Sequence, residues 1–104
     1  MIIYNTTFHI DNDSHHEFID YLKKEFIPQS LASGLLTRAR LSRILSQHAD
    51  EGESYSLQYH VKDNATLNEW ITKEGQALQQ SLVLKFKEKV VGFTTLLEEV
   101  ELDD

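Results

Sequence analysis

The sequence predicts an α+β fold, a four-stranded antiparallel sheet with both helices on one face, on three observations. Four segments alternate apolar and polar residues with period two, the mark of half-buried strands. Two longer segments carry apolar residues at helical spacing. Their order along the chain is strand, helix, strand, strand, helix, strand.

Residues 2–10 form the first predicted strand. Tyr4, Thr6, Phe8 and Ile10 fall on its more apolar face, and Asn5, Thr7 and His9 on the other. Asp11-Asn12-Asp13 breaks it, and Ser14-x-x-Glu17 has the pattern of a capping box at a helix start. Phe18, Ile19, Tyr21, Leu22 and Phe26 then make one apolar stripe. Pro28, the only proline, is expected to end or kink the helix near Ile27, because its ring disfavours a helical residue before it. Gly34 suits a chain reversal.

Residues 35–47 read as a long second strand with imperfect alternation, in which Arg38, Arg40 and Ser42 share a face. Residues 47–53, with Asp50-Glu51-Gly52, read as a hairpin loop. Residues 54–62 alternate cleanly, with Tyr55, Leu57, Tyr59 and Val61 opposed to Ser54, Ser56, Gln58 and His60. Asp63 and Asn64 are candidate N-caps for a second helix. Leu67, Trp70, Ile71, Leu78, Leu82 and Phe86 keep helical spacing there, with Gly75 either breaking it or tolerated within it. Residues 90–100 form the last strand, apolar on both faces: Val90 and Leu96 on one, Val91, Phe93 and Leu97 on the other.

Right-handed crossovers interleave the two strand–helix–strand units into the ferredoxin-like βαββαβ arrangement. The first and third strands are expected side by side at its centre, and parallel. Two helices cover only one face, so Asn5, Thr7, His9, Ser56, Gln58 and His60 should look away from them. The edge strands add Arg38, Arg40 and Thr94 or Thr95 to that face. The apolar residues of the last strand need a cover there. A homodimer, two sheets closing into a barrel with the helices outside, supplies it.

Composition narrows the function classes. The chain of 104 residues is expected to be one domain, residues 1–104. Apolar residues at 40% and charged residues at 26% exclude a disordered tail. A net charge of −7 gives no basic footprint for nucleic acid. Without Cys there are no disulfides, thiolate metal sites or Cys nucleophiles. No apolar run approaches the roughly 18 residues of a membrane helix. The opening Met1–Thr7 lacks a basic-then-apolar leader pattern, so a cytoplasmic location without membrane contact is expected.

The opening Met1-Ile2-Ile3-Tyr4-Asn5, the pieces Phe26-Ile27-Pro28 and Leu31-Ala32-Ser33-Gly34, and Ser56-Leu57-Gln58-Tyr59 together resemble a family of short bacterial proteins known only as a domain of unknown function. That family is similar to the dimeric α+β barrel superfamily, which includes antibiotic-biosynthesis monooxygenases and haem-degrading enzymes. The resemblance implies the dimer and no particular reaction. The haem-degrading relatives use an Asn on the first strand, a Trp on the second helix and a His further along it. Asn5 and Trp70 are present, but residues 64–88 contain no His, and Gln80 stands about where the iron ligand would be. A Gln amide is a poor substitute for imidazole on iron, so no cofactor is expected.

Three groups of residues are candidates for chemistry. Tyr4, Tyr59 and Trp70, with Tyr21 and Tyr55, are either core or the wall of a small apolar pocket between helices and sheet. His9 and His60, expected at neighbouring ends of two parallel strands with His15 and His16 opening the next helix, are either a two- or three-His metal site with a carboxylate of Asp11 or Asp13, or plain surface or interface residues; the spacing fits no ligand motif, and no metal is expected. His15 and His16 diverge by about 100° on a helix. Arg38 and Arg40, with Arg43 nearby, either clamp a small anion or pair with Glu98, Glu99 or Glu101 across a dimer interface. No phosphate loop, nucleophile elbow or metalloprotease motif occurs. The sequence therefore favours a homodimeric binding or structural module. The alternative is a cofactor-independent enzyme on a small organic molecule, of monooxygenase or isomerase type. That reading requires a cavity of about a few hundred Å3 beside Tyr4, Tyr59 and Trp70, with a polar group pointing in.

Overall fold

The computed structural model describes residues 1–45 and 52–102. Strand β1 (Ile2–Ile10) leads through a short turn, Asn12–Ser14, into helix α1 at residues 15–31. Strands β2 (Leu36–Arg43) and β3 (Glu53–Val61) follow. Helix α2 at residues 64–86 and the turn Lys87–Lys89 lead to β4 (Val90–Glu98). The sheet order is β2-β3-β1-β4 and every neighbouring pair is antiparallel, the ferredoxin-like arrangement.

The expectation that β1 and β3 run parallel is therefore wrong. The α1 crossover makes β2 run parallel to β1 with a gap between them. The reversal after β2 sends β3 back into that gap, antiparallel to both. Facing is as expected. Tyr4, Phe8 and Ile10 on β1 and Tyr55, Leu57, Tyr59 and Val61 on β3 are buried under the helices, and His9 on the other face is exposed.

Strand β2 is shorter than the expected 35–47 and interrupted. Thr37 pairs with His60, and the next pair is Arg40 with Gln58, so one extra residue on β2 forms a bulge. Arg38 lies in it at φ 53°, a left-handed conformation uncommon for a residue with a Cβ. Pairing continues with Leu41 opposite Leu57, and the Ile44 N–H still donates to Ser54 O at 2.8 Å. Most of the expected hairpin loop, and His48 within it, lie outside the described residues.

Both helices change pitch after seven residues. In α1 an α-helical segment, His15–Tyr21, gives way to a π turn, Leu22–Phe26, and then to Ile27–Leu31. In α2 the sequence is Asn64–Trp70, the π turn Ile71–Gly75, and Gln76–Phe86. Pro28 thus does not end α1. The wider turn just before it gives room for a ring that would clash with the carbonyl four residues back, and the helix runs on to Leu31. The Ser14 capping box does not form. Ser14 is buried at 3% exposure within the turn, and its side chain makes no capping bond. Asp63 does cap α2, accepting from the Thr66 N–H at 2.8 Å and the Thr66 hydroxyl at 2.7 Å. Those two bonds hold its carboxyl below the usual carboxylate range.

Between helices and sheet the core is a chain of edge-to-face aromatics: Phe8 with Phe18 at 5.3 Å, Phe18 with Phe86 at 5.2 Å, and Phe86 with Tyr21 at 5.5 Å. Such pairs add directional preference to the burial of large apolar rings.

Candidate functional site

The site develops from the way α2 lies on the sheet. Its buried residues Leu67, Trp70, Leu78, Leu82 and Phe86 join the aromatic core, leaving β4 at the edge largely uncovered. On the helix side, β4 sets Gly92 opposite Phe8 and Thr94 opposite Thr6. These residues are too small to close the gap, and a Cβ on Gly92 would stand 3.1 Å from the Phe8 ring. The result is an open groove of about 710 Å3. Thr6, Phe8, Val90 and Gly92 form its floor, and Gln76, Gln79, Gln80, Leu82, Val83 and Leu84 its α2 wall. Among the described residues, that lining contains no ionisable side chain.

Inward of the groove lie Tyr4, Tyr59 and Trp70, which the fold does bring together. Tyr4 meets the Trp70 ring edge-on at 5.7 Å and stacks on Tyr59 at 6.3 Å. The Trp70 indole N–H donates to Ser30 O at 3.0 Å, tying α2 to α1. Ser30, fully buried, donates its own hydroxyl to Phe26 O at 2.7 Å. Gly75, the last residue of the π turn, makes room for the indole, since a Cβ there would stand 2.5 Å from the ring.

The expected pocket at this cluster is filled. Packing leaves about 10 Å3 between these rings, Phe26, Leu57 and Gly75, the space of roughly one water. The open volume lies beside the cluster instead, and the two spaces share Thr6, Phe8 and Gln79 as common wall. The Tyr59 hydroxyl is buried and has no hydrogen-bond partner among the described residues. Burial pushes its pKa up to about 12, against an opposing pull from the nearby Ser30 hydroxyl. The phenol therefore stays protonated and is a donor.

The other candidate residues are dispersed. His9 and His60 share the open face, but the antiparallel register sets His60 opposite Ile3, six positions from His9. That separates them by about 20 Å along the sheet, too far to share a metal. His9 meets the Ser54 hydroxyl at 3.0 Å. His60 lies 3.2 Å from the Met1 sulfur and 3.8 Å from a Glu99 carboxylate oxygen. His15 instead meets the Tyr55 hydroxyl. No group of three metal-ligating side chains occurs among the described residues.

Arg38 and Arg40 are not the i, i+2 pair the sequence suggested. The bulge breaks the alternation, leaving Arg40 in register with Gln58 and Arg38 without a partner on β3. Arg43 pairs within the chain, 3.6 Å from Glu53. Asn5 lies on the open face, where it accepts from the Ser56 hydroxyl at 2.5 Å and donates to the Thr7 hydroxyl at 3.3 Å. Asn5 and Trp70 thus lie on opposite faces of the sheet and cannot share one pocket.

Sequence reasoning missed the groove. Its signals were Gln76, Gln79 and Gln80, at i, i+3 and i+4 on one flank of α2, and Gly92 in the apolar first half of the last strand.

Fold and site together define a ferredoxin-like α+β protein with an open, uncharged groove beside a packed aromatic cluster. The chain belongs to the family described as Domain of unknown function (DUF4286), whose model matches residues 1–100. No curated protein matches it in sequence. Among solved structures it is similar to a dimeric ferredoxin-like protein from an uncultured marine organism, with a TM-score of 0.75 and 16% identity over 98% of this chain and 97% of that one. It is also similar to an antibiotic biosynthesis monooxygenase, with a TM-score of 0.70 and 16% identity over 97% of this chain and 100% of that one. An ethd family protein from Bacillus halodurans has a TM-score of 0.70 and 17% identity, over 96% of this chain and 100% of that one. At these identities the likeness establishes the fold alone. No helix among the described residues is long and apolar enough to cross a membrane.

Proposed function

We propose that the protein is a homodimeric binding module: two copies meet over the open sheet face, and each keeps its groove beside α2 for a small organic molecule. The carrying observation is the open face of β4, where Val91 is 63%, Phe93 62% and Leu97 42% exposed on a sheet surface that is otherwise largely polar. Apolar side chains gathered on one strand favour a protein cover. The polar residues between them do not oppose it, because Asn5, Ser56 and Thr7 satisfy one another.

Charge supports the same reading. The arginines of β2 and the acidic end of β4, Glu98 to Glu101, lie at opposite edges of one sheet, so those two clusters can meet only between copies. The dimeric description of one structural relative agrees with this. Binding is favoured over acid–base catalysis, since the groove lining offers amides and one hydroxyl but no group that moves a proton near neutrality.

Sedimentation velocity at micromolar concentration tests the assembly. The wild type should sediment at twice the 12.1 kDa chain mass, and Phe93→Asp should sediment as a monomer with an unchanged far-ultraviolet spectrum. A wild type that sediments as a single chain overturns the reading.

A further inference from the structure

We propose that the groove continues inward past Gln79 to the Tyr59 hydroxyl, and that its ligand is an uncharged, mainly apolar molecule bearing a hydrogen-bond acceptor that pairs with this phenol. The inference rests on the groove being a ligand site, as proposed above.

Four observations carry it. The groove and the inner cavity are separated only by side chains common to both, Thr6, Phe8 and Gln79. Thr6 and Phe8 are fixed on the central strand β1, whereas Gln79 is exposed on α2 and has a straight, rotatable chain. Gln79 is therefore the part of the wall that can move aside. Beyond it, Tyr59 at 2% exposure lines the inner cavity, and among the described residues its buried hydroxyl makes no hydrogen bond of ordinary geometry, even to the nearby Ser30 hydroxyl; a buried donor so poorly paired gains strongly from an acceptor brought to it. The inner cavity, about 10 Å3, has room for the terminal atom of a ligand and not for its body.

The body belongs in the outer groove, whose size of about 710 Å3 falls in the range of small-molecule sites. Its lining defines the chemistry. Phe8, Leu82, Val83, Leu84 and Val90 offer apolar contact, and Gln76 and Gln80 each offer a donor and an acceptor. With no ionisable side chain lining it among the described residues, a charged ligand would lose hydration without gaining a counter-charge. The π turn Ile71–Gly75 borders the inner cavity at Gly75, and such turns are frequent at functional sites.

Fluorescence titration tests the proposal with three probes: the neutral naphthyl ketone prodan, the dimethylaminonaphthalene that lacks the ketone, and the matching naphthoate anion. Prodan should bind with its emission shifted by donation to the ketone, and the naphthoate at least about tenfold more weakly. Tyr59→Phe should weaken prodan about tenfold and remove the shift, leaving the ketone-free probe unchanged. Gln79→Ala, which removes the movable part of the wall on the exposed flank of α2, should strengthen prodan with the fold intact, and serves if Tyr59→Phe does not fold. Prodan binding that neither variant changes, or naphthoate binding equal to prodan, overturns the proposal. Leu84→Glu in the outer wall separates this failure from that of the groove. If it weakens all three probes while Tyr59→Phe changes none, the groove stands and the inner pairing falls. If no probe binds, or Leu84→Glu changes nothing, both fall.

Discussion

Helices α1 and α2 occupy equivalent places over the sheet and change pitch at the same step, yet among the described residues α2 borders a groove floored by the sheet, whereas the hollow on α1 is lined by that helix's own outer residues. Each runs for seven residues and then opens into a five-residue π turn. In α1 that turn ends at Phe26, whose own ring fills the space inside, at 6.5 Å from Phe8. In α2 it ends at Gly75, and the missing side chain admits the Trp70 ring from one turn back. The flanks differ as well. The exposed flank of α1 carries His16, Glu17, Asp20 and Lys23, with Asp20 and Lys24 paired at 3.0 Å. The flank of α2 toward β4 is amide and aliphatic. The difference teaches that the fold doubles a backbone plan, while a site arises where one copy of the plan leaves its neighbouring strand uncovered.

The comparison breaks most severely at Trp70 and Gly75. Trp70→Ala should cost about 3–5 kcal/mol in urea denaturation, as for other large aromatics removed from cores. Gly75→Ala should cost about 1–3 kcal/mol by driving a methyl group into the indole. On α1, Gln29 is exposed just beyond the π turn, so Gln29→Ala should stay within about 0.5 kcal/mol. Equal costs for Gly75→Ala and Gln29→Ala would remove the asymmetry.

Tyr59→Phe should act in the opposite direction. Deleting a buried hydroxyl that lacks a partner should stabilise the free protein by about 1 kcal/mol, read as a higher urea midpoint. A destabilised variant would reveal a partner for the hydroxyl.

The caps provide the smallest effect. Asp63→Ala should lower Tm by a few degrees, whereas Glu17 caps nothing and makes only an exposed pair with Lys85, so Glu17→Ala should change Tm far less. Because the folded Asp63 pKa is depressed, its contribution is fully present above the usual carboxylate range and is lost as pH falls through the folded value. The Tm gap between wild type and Asp63→Ala should therefore close in strong acid. A gap that persists there would mean that the cap does not depend on the charge.

Much of this was legible in the chain. The alternation of residues 2–10 marked β1 with its observed ends, and that of 54–62 placed β3 within one residue at each end. The same alternation set Tyr4 and Tyr59 under the helices and His9 and His60 away from them. The bulge was hidden because nothing local at Arg38 announces a positive φ. The π turns were hidden because one widened turn barely shifts an apolar stripe. Ser14-x-x-Glu17 misled because a tight turn already runs over Asn12–Ser14 and buries the serine. The strand directions, and with them the distance between His9 and His60, follow from topology rather than from any residue pattern. The groove depends on where α2 settles relative to β4, and its glutamines read as an ordinary wetted flank until that placement is known.

The irregular β2 edge has a consequence for growth. A straight border strand is a template on which further chains can stack without end, and the kink at Arg38 spoils the regular row of donors and acceptors that such stacking copies. Ribbon-like extension through β2 is thereby discouraged, and self-association is directed toward assemblies that close.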